Sequence, residues 1–361
     1  MAKYRFEQIA INSTEKKKPV EEDRFTYLGL EHLDSGCLKV TRYGSDVAPI
    51  GEKLVMRKGD VLFGKRRAYQ KKVAVAPFDG IFSAHGMVLR PREEVIDKDF
   101  FPLFISSDYF LDAAIKISVG SLSPTINWRD LKEVEFELPN LEEQKRLAAV
   151  LWAINDTIEA YKRLISATDD LVKSQFIEMF GEPKNSPDVV NLETAFTIRD
   201  DLRRPINDAV RSEMHTGKLY PYYGANGKVD DINEFLMDCD AICLAEDCGS
   251  YGAGEPTSYI VTGKCWVNNH AHVLIPKENC DIEFANVYFR ILDMTEYVTG
   301  TTRLKLTQAK MKTIPFVLPS MALQRQFAEF VRQSDKSKFE LEQALSELTA
   351  TYKRIISDNL G

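Results

Sequence analysis

The chain has 361 residues, of which 44% are hydrophobic and 28% charged, and its formal net charge is −7. That length accommodates two domains of ordinary size, each with its own core, and the composition is that of a globular protein rather than a disordered one. No stretch approaches the roughly 18 apolar residues of a membrane span, and MAKYRFEQIA lacks the apolar region of a secretory signal, so a cytoplasmic protein with reduced cysteines is expected.

Along the chain, the first unusual segment is RKGDVLFGKRRAYQKK, residues 57–72, with seven basic residues against the single acid Asp60, a local charge of +6. For binding a polyanion, the distribution of charge matters more than its sum. The interleaved Phe63 and Tyr69 predict strand–turn–strand, which would set the basic residues on one exposed rim; a merely solvated basic loop is the alternative. In FSAHGMVLRP, Ser83 and His85 precede an apolar run that reads as a strand. Gly120-Ser-Leu-Ser-Pro-Thr-Ile-Asn follows, rich in small hydroxyl side chains of the kind that contact phosphates.

A long helix comes next. Asn140-Leu-Glu-Glu has capping-box spacing, with Glu143 available to reach back. Leu151, Ile158, Ile165, Val172 and Met179 then recur every seven residues, with Leu147, Ile154 and Tyr161 beside them. Gly181 and Pro183 stop the helix, and GEPKNSP reads as an interdomain linker.

In the second half, YPYYGANGK (residues 220–228) combines Tyr222, Tyr223 and Asn226 in a loop suited either to a sugar–phosphate backbone or to a structural turn. Cys239, Cys243, Cys248 and Cys265, with His270 and His272, invite a zinc reading, but no C-x-x-C pair exists and the spacings fit no zinc ribbon. GSYGAGEP lacks the spacing of a phosphate loop and reads as a surface turn, and no G-x-x-x-x-G-K-[ST] motif is present. WVNNHAHVLIP places Asn268, Asn269 and His270 ahead of an apolar strand; Asn bonds adenine bidentately in the major groove, while the alternative is loop capping inside the domain. Thr301, Arg303 and Lys305 lie in a second hydroxyl-rich stretch, now with cations. Ser320, a good N-cap, starts a second long helix with a seam of Phe327, Val331, Leu341, Leu345, Leu348, Tyr352 and Ile355, interrupted by Ser334 and Lys338.

The two halves are a duplication. A constant shift of 180 residues pairs Gly120 with Gly300, Phe136 with Phe316, Pro139 with Pro319 and Gln144 with Gln324. The shift drifts to 185 at His85 and His270, which requires loop insertions between the globular parts. A repeat of this kind sets the architecture: an α+β protein of two similar mixed α/β domains separated by two long antiparallel helices in a coiled coil, with internal pseudo-twofold symmetry. The expected boundaries are 1–139 and 182–319 for the domains and 140–181 and 320–361 for the helices. A helix of about 40 residues is about 60 Å long, comparable to roughly 18 base pairs of duplex DNA.

The helix starts Leu138-Pro139 to Gln144 and Leu318-Pro319 to Gln324, with GKRRAYQKKVAVAPFDGIFS, YPYYGANGKVDDINEFL and VTGKCWVNNHAHVL, resemble the specificity subunit of type I restriction–modification enzymes over essentially the whole chain. The resemblance implies two target-recognition domains, each reading one half of a split DNA sequence, with the helix pair setting the gap. It implies a non-catalytic subunit that recruits methyltransferase and restriction subunits, with S-adenosylmethionine, magnesium and ATP on those partners and no cofactor on this chain. Carried onto this sequence, Lys65, Arg66, Arg67, Tyr69, Lys71 and Lys72 become DNA contacts in the first domain, and Tyr222, Tyr223, Asn226, Asn268, Asn269 and His270 in the second. Ser83, His85, Thr301, Arg303 and Lys305 join them from the residue reading above. A coiled-coil scaffold with protein-binding heads is the rival reading, and it predicts no salt-dependent DNA binding. An acidic mimic of DNA fits the net charge but not the +6 segment, and a nuclease or methyltransferase would need an active site that no motif supplies.

Overall fold

The computed structural model describes residues 1–301 and 303–360. The chain divides into two compact units, one of residues Met1–Tyr161 together with those from Gln343 onward, the other Lys162–Glu342. Each unit has the same plan.

In each unit the first strand pairs with the last. Ala2–Arg5 lies antiparallel to Glu135–Leu138, and Val189–Asn191 antiparallel to Pro315–Val317. A four-stranded sheet follows, in the order Ala10–Ser13, Met87–Pro91, Val61–Phe63, Val73–Val75 in the first unit. The second unit repeats it as Phe196–Ile198, Ala271–Pro276, Ala241–Ala245, Ser258–Val261. The central strands, VLF and AICLA, are buried throughout, as continuous apolar runs in a covered sheet require.

A second sheet carries the difference between the units. In both, a central strand (Gly80–Phe82; Lys264–Val267) has a parallel neighbour (Tyr27–Leu28; Tyr220–Gly224) and an antiparallel one (Lys53–Met56; Met237–Asp238). The fourth strand then attaches at opposite edges: Lys16–Lys17 beside Lys53–Met56, but Gly227–Ile232 beside Tyr220–Gly224. The YPYYGANGK hairpin is thus an edge of the second unit without a counterpart in the first.

Aromatic side chains close each core. In the first unit Phe6, Phe104, Phe110 and Phe136 meet at ring-centroid distances of 5.1–5.9 Å. In the second, Phe176, Phe180, Phe284, Tyr288, Phe316 and Phe327 meet at 4.9–5.7 Å. Asp281 caps the covering helix Ile282–Ile291 by accepting hydrogen bonds from the amides of Glu283 and Phe284.

The long helices are Leu141–Phe180 and Met321–Leu360. Within the first unit the start of one and the end of the other share a core, through Leu147, Leu151, Ile356 and Leu360. Within the second unit Phe176 and Phe180 share one with Phe327 and Val331. The helices therefore run antiparallel. Their burial differs from an even heptad seam: Ile158 and Ile165 are only half-buried, Leu164 and Leu171 are about half exposed, and Phe176 and Phe180, outside the heptad rows, are buried. The reason is that each helix end packs onto a globular part as well as onto its partner helix.

The predicted start and stop signals fare differently. Asn140 Oδ1 accepts from the Glu143 amide at 2.9 Å, but the Glu143 carboxylate turns to Arg146 instead of closing a capping box. Gly181 ends the helix at φ +77°, a left-handed conformation that glycine adopts without penalty. The GSYGAGEP turn is anchored, not merely superficial: Tyr251 is fully buried and its hydroxyl donates to the Ala245 carbonyl.

Candidate nucleic-acid interface

In the first unit the strand Val61–Phe63 leads into the basic segment. Asp60, its lone acid, is buried and receives a bidentate pair from Arg90 at 2.7 and 2.9 Å. Its charge is therefore committed inward. After the strand, Arg67 (φ 55°) and Lys71 (φ 48°) flank the turn Ala68–Gln70 and are the only non-glycine residues with positive φ among those described. Such strain, of order 1–2 kcal/mol per residue, persists where surrounding structure enforces it.

The loop 119–125 closes against this segment. Val119 and Thr125 exchange both backbone hydrogen bonds, at 3.0 and 2.9 Å. The Arg67 amide donates to the Pro124 carbonyl at 2.8 Å, and the Ile126 amide to Lys65 at 2.9 Å. Arg66 Nε donates to Ser123 Oγ at 3.4 Å, and its guanidinium lies 3.5 Å from His85 Nε2. Among the described residues no carboxylate pairs with Lys65, Arg66 or Arg67. Burial, with a contribution from Lys16, holds the Lys65 ammonium below its ordinary value. Tyr69 stands exposed beside them.

Three residues expected on this rim lie elsewhere. Lys71 reaches Asp108 and Asp112 at 2.7 and 2.9 Å, and the hydrogen bond it donates to Asp108 raises its pKa. Lys72 donates to the Leu30 carbonyl at 2.6 Å. Ser83 is buried, its amide donating to Leu28 and its hydroxyl accepting from the His85 amide. Each is committed to the unit's own structure.

The second unit builds the equivalent place with charges exchanged. Val61 and Ile242 oppose Leu89 and Leu274 in register, so Lys65 corresponds to Glu246 and Arg66 to Asp247. The loop 299–305 repeats the closure: Thr299 and Lys305 exchange hydrogen bonds at 2.9 and 2.8 Å, and the Leu306 amide donates to the Glu246 carbonyl at 2.7 Å. Here the cations come from the loop. Lys305 pairs with Glu246 at 2.8 Å, Arg303 with Asp247, and His270 Nδ1 lies 2.8 Å from the same Asp247. Arg203 bridges Glu246 and Asp200, and Asp200 also meets His272 Nδ1 at 2.7 Å and accepts from Gln308.

Burial pushes the carboxyls of Asp200 and Glu246 up, but His272 and Gln308 on one, and Lys305 and Arg203 on the other, more than offset it. Both therefore sit below their ordinary values. The result is a set of nearly buried acids holding exposed cations: the Arg303 side chain is 74% exposed, that of Asp247 only 9%. Thr301 is exposed beside them; Thr302, part of the same hydroxyl-rich stretch, lies outside the described residues.

Of the remaining expected contacts, Tyr222 is a correction. It is 2% exposed, under Arg211 and within a small core with Ile232 and Trp266. Asn268 is likewise buried, its side-chain oxygen accepting from the His270 amide. Tyr223 stacks on Tyr259 at 5.5 Å and is half-buried. Asn226, at the hairpin tip, and Asn269 are exposed.

Sequence reasoning passed over Asp200, Arg203, Glu246 and Asp247. The signal available was acids at the exit of an apolar strand, AICLAED, where the other half reads VLFGKRR. As for metals, Cys243, Cys265 and Cys280 are buried core residues, and burial pushes the Cys265 and Cys280 thiols up to about 12. Among the described residues no group of three or more His, Cys, Asp or Glu is placed to hold a metal ion, and no helix is long and apolar enough to cross a membrane.

Comparison with known proteins points in one direction. The model of the type I restriction modification DNA specificity domain matches residues 14–167 and again 190–349. The chain is 30% identical over 140 residues to a Haemophilus influenzae protein named as a type I restriction enzyme specificity subunit, covering 39% of this chain and 35% of that protein. It is 29% identical over 182 residues to the EcoDI specificity subunit of Escherichia coli, covering 48% and 40%. These matches thus span well under half of the relatives' lengths. The fold is similar to the S subunit of the type I system of M. genitalium, with TM-score 0.56 at 16% identity over 100% of this chain and 96% of that one. It is also similar to a chain from a structural study of type I R-M complex assembly, with TM-score 0.58 at 18% identity over 99% and 97%.

Proposed function

The chain belongs to the type I restriction–modification DNA specificity family, and from that premise we propose that it is the sequence-specific DNA-binding subunit of such a complex. Each unit reads one half of a bipartite target, and the antiparallel helices set the unread gap. It carries no catalytic centre of its own and engages methyltransferase and restriction subunits. S-adenosylmethionine, magnesium and ATP belong to those partners, and the assembly works in the cytoplasm.

The observation that carries the DNA reading is the cluster of Lys65, Arg66 and Arg67 with Ser123 and His85, exposed or half-exposed and without a carboxylate in ion-pair range among the described residues. Cations placed this way neutralise phosphates and release counterions, so affinity falls steeply as salt rises. Base edges are then read by Arg, Asn and Asp or Glu side chains at the loop tips. Mapping methylated adenines across a host genome with and without this gene tests the whole reading. Loss of one split motif supports it; an unchanged methylation map overturns it. In gel shifts, Arg66→Ala weakens binding, and unchanged affinity would remove Arg66 from the interface.

A further inference from the structure

We propose that Leu122 is a wedge that inserts between stacked base pairs of the DNA held by the first unit, an inference that rests on the DNA-binding reading above. Leu122 is 94% exposed at the tip of the 119–125 loop, with Ser121 and Ser123 on either side. A single exposed leucine is ordinary on a protein surface. What sets this one apart is its mounting. The loop is closed at its neck by the paired hydrogen bonds of Val119 and Thr125, and Thr125 Oγ1 donates to the Ser123 carbonyl at 3.1 Å. Arg67 and Lys65 tie it by backbone hydrogen bonds on both sides, and Arg66 reaches its Ser123.

The loop that carries Leu122 is therefore fastened at its neck to the segment that carries the cations. A polyanion that settles on Arg66, Arg67 and Lys65 lies beside the loop that carries Leu122. Of the occupants such a tip can have, a duplex fits the surroundings best. Cations and hydroxyls take the phosphates and the apolar tip enters the one apolar region a duplex has, the space between its stacked bases. Proteins that bend DNA use Leu, Ile, Phe and Met in this way, separating one base step to bring more phosphates into reach. At the equivalent position of the second unit the sequence has Thr302, so the wedge is specific to one half of the target.

The test uses the full chain and the duplex it enriches from a randomised pool, with 2-aminopurine substituted for each adenine of that duplex in turn. The expected result is raised fluorescence at one step on binding the native chain. Leu122→Ala abolishes the rise and weakens binding about tenfold, whereas Leu122→Phe retains the rise. Circular dichroism of the variants is expected to match the native chain, since the residue is exposed. Unchanged affinity and fluorescence in Leu122→Ala overturn the wedge and leave the DNA reading standing. So does an alanine variant that binds DNA normally but no longer co-purifies with methyltransferase subunits, since the tip would then be a protein contact. Failure of the native chain to enrich any duplex sinks the DNA reading itself, and the wedge with it.

Discussion

Asp200 concentrates more interactions than any residue the repeat pattern singles out. Its carboxylate accepts from the Val273 amide and Gln308, and faces both His272 and Arg203. Glu246, four strands further along the chain, holds Arg203 and Lys305. Both carboxyls have folded-state values depressed below their ordinary ones, so each contributes stability that is complete above the ordinary carboxylate range and is lost as pH falls through the depressed values. Thermal melts of the native chain should change little from pH 7 to about pH 5 and then decline below about pH 4. Asp200→Asn should lower stability at pH 7 by about 2 kcal/mol, because it weakens the partners of the buried His272 and Arg203, and should flatten the acid limb of the curve. A variant that melts like the native chain at pH 3 to 7 would show that this network holds nothing in place.

At the scale of elements, the duplicated Gln144 and Gln324 explain why the helix starts repeat so closely. Gln144 is buried, accepts from the Asp97 amide and donates to the carbonyls of Val95 and Pro139. Gln324 accepts from the Asp281 amide and donates to Asn279 and Pro319. Each glutamine thus fastens the first turn of a long helix to the loop before a neighbouring helix. Either one changed to alanine strands three backbone groups, most of them half-buried, and should cost about 3 kcal/mol in denaturant unfolding. Glu at the same place would fail as well, having no donor for the carbonyls. Asn155 works in the opposite sense. It is buried in the first long helix and its Nδ2 meets no acceptor among the described residues, so Asn155→Leu should raise stability by about 1 kcal/mol, as polar residues in helix seams trade stability for register.

These elements also show what the chain discloses when read alone. The glutamines, prolines and glycines of the repeat are legible because each is held by backbone groups whose geometry the two units share. Ser334 and Lys338 interrupt the apolar seam, yet Ser334 is buried with its hydroxyl donating to its own helix's Phe330 carbonyl and Lys338 pairs with Asp169 at 2.7 Å. That partner lies 169 residues away, and no periodicity reveals it. Phe176 and Phe180 escaped the heptad rows because they serve the globular core. Tyr222 and Asn268 looked like contacts because aromatic and amide side chains suit DNA and turns equally, and only burial separates the two uses.

For the whole molecule, a net charge of −7 means that association with DNA depends on where the positive charge is left uncompensated. The two units solve this differently. The first presents Arg66 and Arg67 with no carboxylate in ion-pair range among the described residues, whereas the second presents Arg303 and Lys305 already gripped by Asp247 and Glu246. The first arrangement favours attraction, the second fixed orientation. Removing charge should therefore act in opposite directions in the two halves. Arg66→Ala lowers affinity for any duplex and reduces the slope of log affinity against log salt by about 1. Asp247→Asn removes a negative charge beside Arg303, so it should raise affinity for random duplex and steepen that slope. The same change frees Arg303 and His270 to move, so discrimination at the second half-site should fall even as total binding rises. Titrating both variants against specific and random duplex at several salt concentrations separates these effects. If Asp247→Asn loses affinity for random and specific DNA alike, the carboxylate is a structural support only, and charge exchange between the units has no part in how they divide the target.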